Sequence, residues 1–262
     1  MARGRRSTPD ARCTARRRGR GRSTVSARTG RAPDALRALI IRRGVNRHAE
    51  GSALVEWGDT HVLATVSIEA RLPPHLRGKG SRSGWLNAEY AMLPRATALR
   101  KPRERPSVGG RTQEIQRLIG RALRASVDLH AFANRTLTVD VDVLQADGGT
   151  RCAGVLAGYA ALFDLADAAV FAGTLTEWPL RHEVAAVSVG LVDGEVLVDL
   201  DYAEDVRAAV DLNVVATATG DVIEVQGGGE GEIVDAERYV QLVAVGISAV
   251  ERLALQVRGM LR

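Results

Sequence analysis

The 262-residue chain has few aromatic side chains, two cysteines and no uninterrupted apolar run of membrane-spanning length. Each shortage excludes something. Aromatics make up 4% of the residues, so extensive stacking of nucleic-acid bases on rings is not available, and Tyr90 is the nearest candidate for it. Cys13 lies in a polar leader and Cys152 at the head of an apolar stretch, so neither a disulfide framework nor a metal-ligand spacing is expected. No histidine stands near Cys152 in sequence, which gives it the reading of a small core residue rather than a nucleophile. A bilayer-spanning helix needs about 20 apolar residues, and the N-terminus carries arginines where a signal peptide would carry its apolar centre. The expectation is a soluble, cytoplasmic protein with no membrane contact.

What is present is unevenly divided. The net charge of +5 conceals a leader, residues 1–30, with ten arginines and one acid, Asp10, and a remainder, residues 31–262, that is acidic by four charges. That leader is rich in Arg, Gly, Ser, Thr and Ala and poor in large apolar residues, so it cannot bury enough surface to order itself. It reads as a disordered basic tail: an arm for nucleic acid, a solvated leader, or the product of a misassigned start codon. No apolar stretch follows Arg16-Arg17-Arg18, which excludes a twin-arginine export signal. Residues 31–262 are expected to form a single globular domain.

Within it, Ser52 to Trp57 and His61 to Ile68 flank Gly58-Asp59-Thr60 and predict a hairpin. A long connection from Arg71 to Gly110, marked by arginines and punctuated by Pro and Gly, leads to Arg111. There an amphipathic helix begins, with Ile115, Leu118, Ile119, Ala122, Leu123 and Val127 at three- and four-residue spacing. Thr136 to Val143 alternates, with Leu137, Val139, Val141 and Val143 on one face and Thr136, Thr138, Asp140 and Asp142 on the other, the pattern of a half-buried strand. Cys152 to Phe171 is apolar enough for a helix buried on most faces. Strands are expected over Val184 to Val192 and Glu195 to Leu200, joined by the hairpin signal Asp193-Gly194, and over Asn213 to Ala218 and Val222 to Gln226. Ala236 to Leu261 predicts a long amphipathic helix. The fold class is α+β, helices packed on a mixed sheet.

The residues that point to chemistry gather around Gln145-Ala-Asp-Gly-Gly-Thr-Arg151, between the alternating strand and the buried helix. Gly148 and Gly149 permit a tight turn, while Gly149, Thr150 and Arg151 set amides, a hydroxyl and a bidentate cation at a helix start that attracts anions. Arg111 begins another helix. Four acids in the seven residues from Asp199 to Asp205 form either a solvated rim or a site for a hard cation such as Mg²⁺. Arg95, Arg100, Arg103 and Arg105, with Lys101 among them, read beside such a site as a track for a polyanionic chain. Together these are the electrostatic parts of phosphoryl transfer.

A set of motifs in unbroken order then carries a resemblance: His48-Ala-Glu-Gly-Ser52, Trp57-Gly-Asp-Thr60, Ala88-Glu-Tyr90, Met92-Leu-Pro-Arg95, Gly109-Gly-Arg-Thr112, Glu114-Ile-Gln-Arg-Leu118, Leu144-Gln-Ala-Asp-Gly-Gly-Thr-Arg151, Ala185-Ala-Val-Ser-Val-Gly190 and Glu224-Val-Gln-Gly227. From residue 31 onward the chain resembles the bacterial ribonuclease PH family. That resemblance implies a ribonuclease PH-type mixed sheet with helices and a phosphate-dependent 3′-to-5′ exoribonuclease that trims tRNA precursors, releases nucleoside diphosphates and works reversibly. It implies phosphate binding by Arg111, Gly149, Thr150 and Arg151. Asp199 and Asp205 fall on the family's catalytic carboxylates, holding Mg²⁺ or Mn²⁺ or assisting proton transfer, and Arg95, Arg100 and Arg103 on its RNA-guiding arginines. It also implies a homohexamer built as a trimer of dimers. Leu36-Arg37-Ala38 lacks the family's proline, Gly227-Gly-Gly-Glu-Gly231 has a glycine in place of an alanine, and the 96–108 loop is slightly short. The opposing reading, a non-catalytic RNA-binding ring subunit of an exosome-like assembly, would be expected to lose the phosphate arginines or the carboxylates, and this chain keeps all of them.

Overall fold

The computed structural model describes residues 28, 30–78, 82–105, 107–229 and 233–262. Most of residues 1–30 lies outside that range, but Arg28 lies within it and is buried. The described body therefore takes in an arginine that composition alone assigns to the leader.

The first sheet contains β1 (Leu39–Arg43), β2 (Gly51–Trp57), β3 (Thr60–Glu69), β4 (Trp85–Met92) and β5 (Thr136–Gln145) in the order β1-β2-β3-β5-β4. Only the β4–β5 pair among these is parallel, and the crossover that a parallel pair requires is supplied by α1 (Gly110–Ser126). The second sheet contains β6 (Val184–Val192), β7 (Glu195–Val198), β8 (Ala208–Thr217) and β9 (Val222–Gly229) in the order β7-β6-β8-β9, all antiparallel. Between the sheets in sequence runs α2 (Thr150–Phe171); a single turn, α3 (Tyr202–Asp205), follows β7, and α4 (Ala236–Leu261) covers the second sheet.

The helix α2 packs on β2, β3 and β5 from one side and on β6 from the other, which is why an almost uniformly apolar sequence is helical there. Such a helix has no polar face to give to water. Its small residues also let α1 come close: a Cβ on Gly158 would stand 2.8 Å from Leu123 Cδ1. One cluster of buried residues runs from Val55 and Trp57 through α2 to Val187 in β6 and Leu253 in α4.

The expected connection from Arg71 to Gly110 contains β4, whose Leu86, Ala88 and Tyr90 point inward. Arginine, proline and glycine on both sides mask its alternation. The short edge strand β1 is likewise absent from the sequence reading, β8 starts at Ala208, and β9 continues through glycines to Gly229 because backbone pairing needs no side chains.

Candidate active site

The strand β5 delivers Gln145 to a turn that three other segments hold in place. The Asp147 amide donates to Thr60 Oγ1 at 2.9 Å, and that buried hydroxyl donates to the Gly148 carbonyl at 2.7 Å. The Ala146 amide donates to the Ala96 carbonyl at 2.8 Å. Gly148 and Gly149 have φ of 72° and 64°, a left-handed conformation that costs other residues about 1 kcal/mol or more each. Space is as strict as conformation: a Cβ on Gly148 would lie 2.6 Å from the Leu200 carbonyl oxygen. The turn is thus pressed directly against the segment that follows β7.

From this turn α2 starts at Thr150, with Gly149 as its N-cap and no side chain capping it. Its first amides have no acceptors within the helix and its dipole is positive at this end. Arg151, the second residue, is steadied by Gln226 of β9, whose Oε1 accepts from Nη1 at 3.2 Å. The next residue, Cys152, donates through Sγ to Asn213 Oδ1 at 3.2 Å. Burial pushes its thiol pKa up to about 12, so it is an inert core residue.

Arg111 is the second residue of α1 and is exposed. Its charge and that of Arg151 both fall within electrostatic range of the Tyr90 phenol. That phenol lies at the C-terminal end of β4 and donates to Thr150 Oγ1 at 3.0 Å; burial, outweighing these contacts, raises its pKa. The amide end of α1 is partly taken, because Glu104 accepts from the Gly109 amide and the Thr112 hydroxyl, each at 3.0 Å. At that helix start the Gly109 amide is engaged by Glu104, and the Arg111 side chain is exposed.

The acids of the 199–205 segment separate into different environments. Asp199 is 1% exposed and sits at φ 57°. Its Oδ1 accepts from Arg37 Nε at 3.1 Å and Nη2 at 2.7 Å, and its Oδ2 from the Arg37 amide at 2.6 Å and Arg31 Nη1 at 3.1 Å. These contacts fill the roughly four acceptor positions of a carboxylate. Arg37 continues to the Asp147 carbonyl, so it ties Asp199 to the glycine turn. Glu204 is buried in a bidentate pair with Arg28, both contacts at 2.6 Å, and completes the α3 capping box with Asp201. Burial opposes its ionisation, but the Arg28 hydrogen bonds, the Asp201 amide and the charges of Arg28 and Arg31 hold it below the usual carboxylate range. Asp205 ends α3 and is exposed. Beside the burial that dominates, the charges of Arg151, Asp199, Arg37 and Asp205 all fall within electrostatic range of the Cys152 thiol near the α2 start.

Of the arginines read as an RNA track, Arg95 adjoins Ala96, the residue anchored to the turn, while Arg100 and Arg103 lie farther along the same segment; all three are exposed. Sequence reasoning gave no site role to Arg28, Arg31, Arg37, Thr60 or Gln226. Their partners are 75 to 176 residues away in the chain, and no local pattern encodes such pairings. A cavity of about 720 Å³ lies at the other end of α2, lined in part by Tyr159, Phe163, Trp178 and Arg258. No residue of the candidate site reaches it.

Residues 35–166 match the 3′ exoribonuclease family, domain 1, and residues 182–249 match its domain 2. A protein named ribonuclease PH from Deinococcus radiodurans is 53% identical over 227 residues, which are 87% of this chain and 92% of that protein. Among solved structures, rice Rrp46 aligns with a TM-score of 0.69 at 26% identity, over 89% of this chain and 99% of that one. The Archaeoglobus fulgidus exosome with RNA bound to its active site contains a chain that aligns with a TM-score of 0.72 at 25% identity, over 87% and 91%.

Proposed function

Because this chain belongs to the ribonuclease PH family of 3′ exoribonucleases, we propose that the Gly148-Gly149 turn and its surroundings are where it carries out phosphorolysis. The protein is a phosphate-dependent 3′-to-5′ exoribonuclease acting on tRNA precursors. An oxygen of inorganic phosphate attacks the last phosphodiester, the bond from phosphorus to the preceding 3′ oxygen breaks, and a nucleoside diphosphate leaves. The proton lost by the attacking phosphate balances the one gained by the released 3′ hydroxyl, and the reaction runs in both directions.

What supports this reading is the Tyr90–Thr150 hydrogen bond at the start of α2, with the charges of Arg111 and Arg151 both in electrostatic range of that phenol and an acidic turn pressed on Gly148. Free phosphate is repelled by the anionic backbone it must attack. Arg111, Arg151, the Thr150 hydroxyl and the Gly149 turn neutralise it and hold it in line, so that binding supplies positioning and charge stabilisation. Asp205, on the exposed rim, helps carry the proton to the departing 3′ oxygen. Arg95, Arg100 and Arg103 guide the RNA 3′ end inward.

The Mg²⁺ or Mn²⁺ implied by the family resemblance meets a poor fit as a resident ion. Among the described residues no three His, Cys, Asp or Glu side chains gather to hold a metal, and the contacts of Asp199 occupy both of its oxygens. Asp205 is the exposed carboxylate of this segment, and no step above runs through a metal ion. The working form we propose is a homohexamer in the cytoplasm.

The test is product analysis. Purified protein should shorten a tRNA precursor only when phosphate is supplied and should release diphosphates. Monophosphate release without phosphate would overturn the proposal.

A further inference from the structure

The phosphate reading leaves Tyr90 unexplained: a phenol 5% exposed at the end of β4, on the side of the sheet covered by α1, with its hydroxyl aimed at the first residue of α2. Its hydroxyl donates to Thr150 Oγ1 at 3.0 Å, and among the described residues the Thr150 hydroxyl has no second hydrogen-bond partner. A hydroxyl that accepts from one neighbour still has its own hydrogen to give. An anion offers only acceptors, so a threonine whose oxygen is already engaged by a donor is set to donate to it. The positive charges of Arg111 and Arg151 are both within electrostatic range of the same phenol, which favours an anion beside it.

We propose that Tyr90 is a positioning residue for the attacking phosphate, fixing the Thr150 hydroxyl so that its hydrogen points at a phosphate oxygen. The proposal rests on the phosphate-site reading above. Removing the phenol hydroxyl frees the Thr150 rotor and lets its hydrogen turn elsewhere, which weakens one charge-assisted hydrogen bond at the attacking group.

The experiment is steady-state kinetics with phosphate and RNA varied separately. Tyr90→Phe should raise KM for phosphate about tenfold, the scale of one hydrogen bond to a charged acceptor, with kcat at saturating phosphate and KM for RNA near the parent values. Thr150→Val should raise KM for phosphate at least as far, Thr150→Ser should restore most of that loss, and Tyr90→Phe combined with Thr150→Val should raise KM for phosphate no further than Thr150→Val alone. A change in thermal stability with no change in KM for phosphate, or equal losses that add in the double variant, would overturn the inference. Should Tyr90→Phe fail to fold, a difluorotyrosine at position 90 replaces it: KM for phosphate should climb as pH passes through the lowered phenol pKa, because a phenolate can only accept and would claim the Thr150 proton. A flat profile would overturn the inference equally. Arg111→Ala and Arg151→Ala separate the two levels. If both raise KM for phosphate while the Tyr90 variants do not, only the role of Tyr90 falls; if neither raises it, the phosphate site itself is misplaced.

Discussion

At the scale of single residues, the two aspartates that sequence treats alike are unlike in the structure. Asp199 is buried and spends its oxygens on Arg31 and Arg37, whereas Asp205 is exposed at the end of α3. Their variants should separate accordingly. Asp199→Ala leaves two arginines facing a vacancy, and breaking a buried ion pair from one side costs about 3–5 kcal/mol, so chemical denaturation should show a large loss of stability together with lost activity. Asp205→Asn should lower kcat with a smaller shift of the unfolding midpoint than Asp199→Ala. Equal stability losses in both would contradict the distinction. Glu204 adds a pH dependence. Its folded carboxyl is held below its ordinary range, so its stabilisation is fully present above the ordinary carboxylate pKa and is lost as pH falls through the depressed value. Acid unfolding followed by circular dichroism should be steeper in the parent than in Glu204→Gln, which carries no such titration.

At the scale of elements, the fit of α2 between two sheets and against α1 depends on small residues. Gly158→Ala would force a methyl to within 2.8 Å of Leu123 Cδ1, and overpacking of this kind costs about 1–3 kcal/mol; the unfolding midpoint should drop while KM for phosphate holds. Gly148→Ala should act at the other end of the same chain segment, where strain and a backbone clash would push the acidic turn away from α2 and lower kcat. The sequence shows why some elements are legible and others are not. Leu137, Val139, Val141 and Val143 alternate, and Ile115 through Leu123 recur with helical period, so one local pattern sufficed for β5 and α1. In β4 the inward residues include Ala88 and the outward ones include Ala91, and this weak contrast hid a strand that carries Tyr90. The site is half legible for the same reason: Gly149, Thr150 and Arg151 are adjacent, but the Arg37–Asp199 and Arg151–Gln226 contacts are made only when sheets and helices pack.

At the scale of the whole molecule, an ion network ties residues before the first strand to the second sheet. Arg28 and Arg31 bind Glu204 and Asp199, so a chain beginning at Ala32 should lose several degrees in unfolding midpoint relative to one beginning at Arg28, measured by differential scanning fluorimetry. The exposed arginines after β4 make a separate prediction. Replacing Arg95, Arg100 and Arg103 with Ala should raise KM for tRNA precursor, flatten its salt dependence and leave KM for phosphate unchanged.

The account stands on where orthophosphate sits, and a crystal soaked in phosphate or sulfate measures that directly. The account predicts a tetrahedral anion held by the Arg111 and Arg151 guanidiniums and the Thr150 hydroxyl, beside the Gly148-Gly149 turn. An anion bound elsewhere, with Arg111 and Arg151 turned away from each other and this turn empty at saturating concentration, would contradict it.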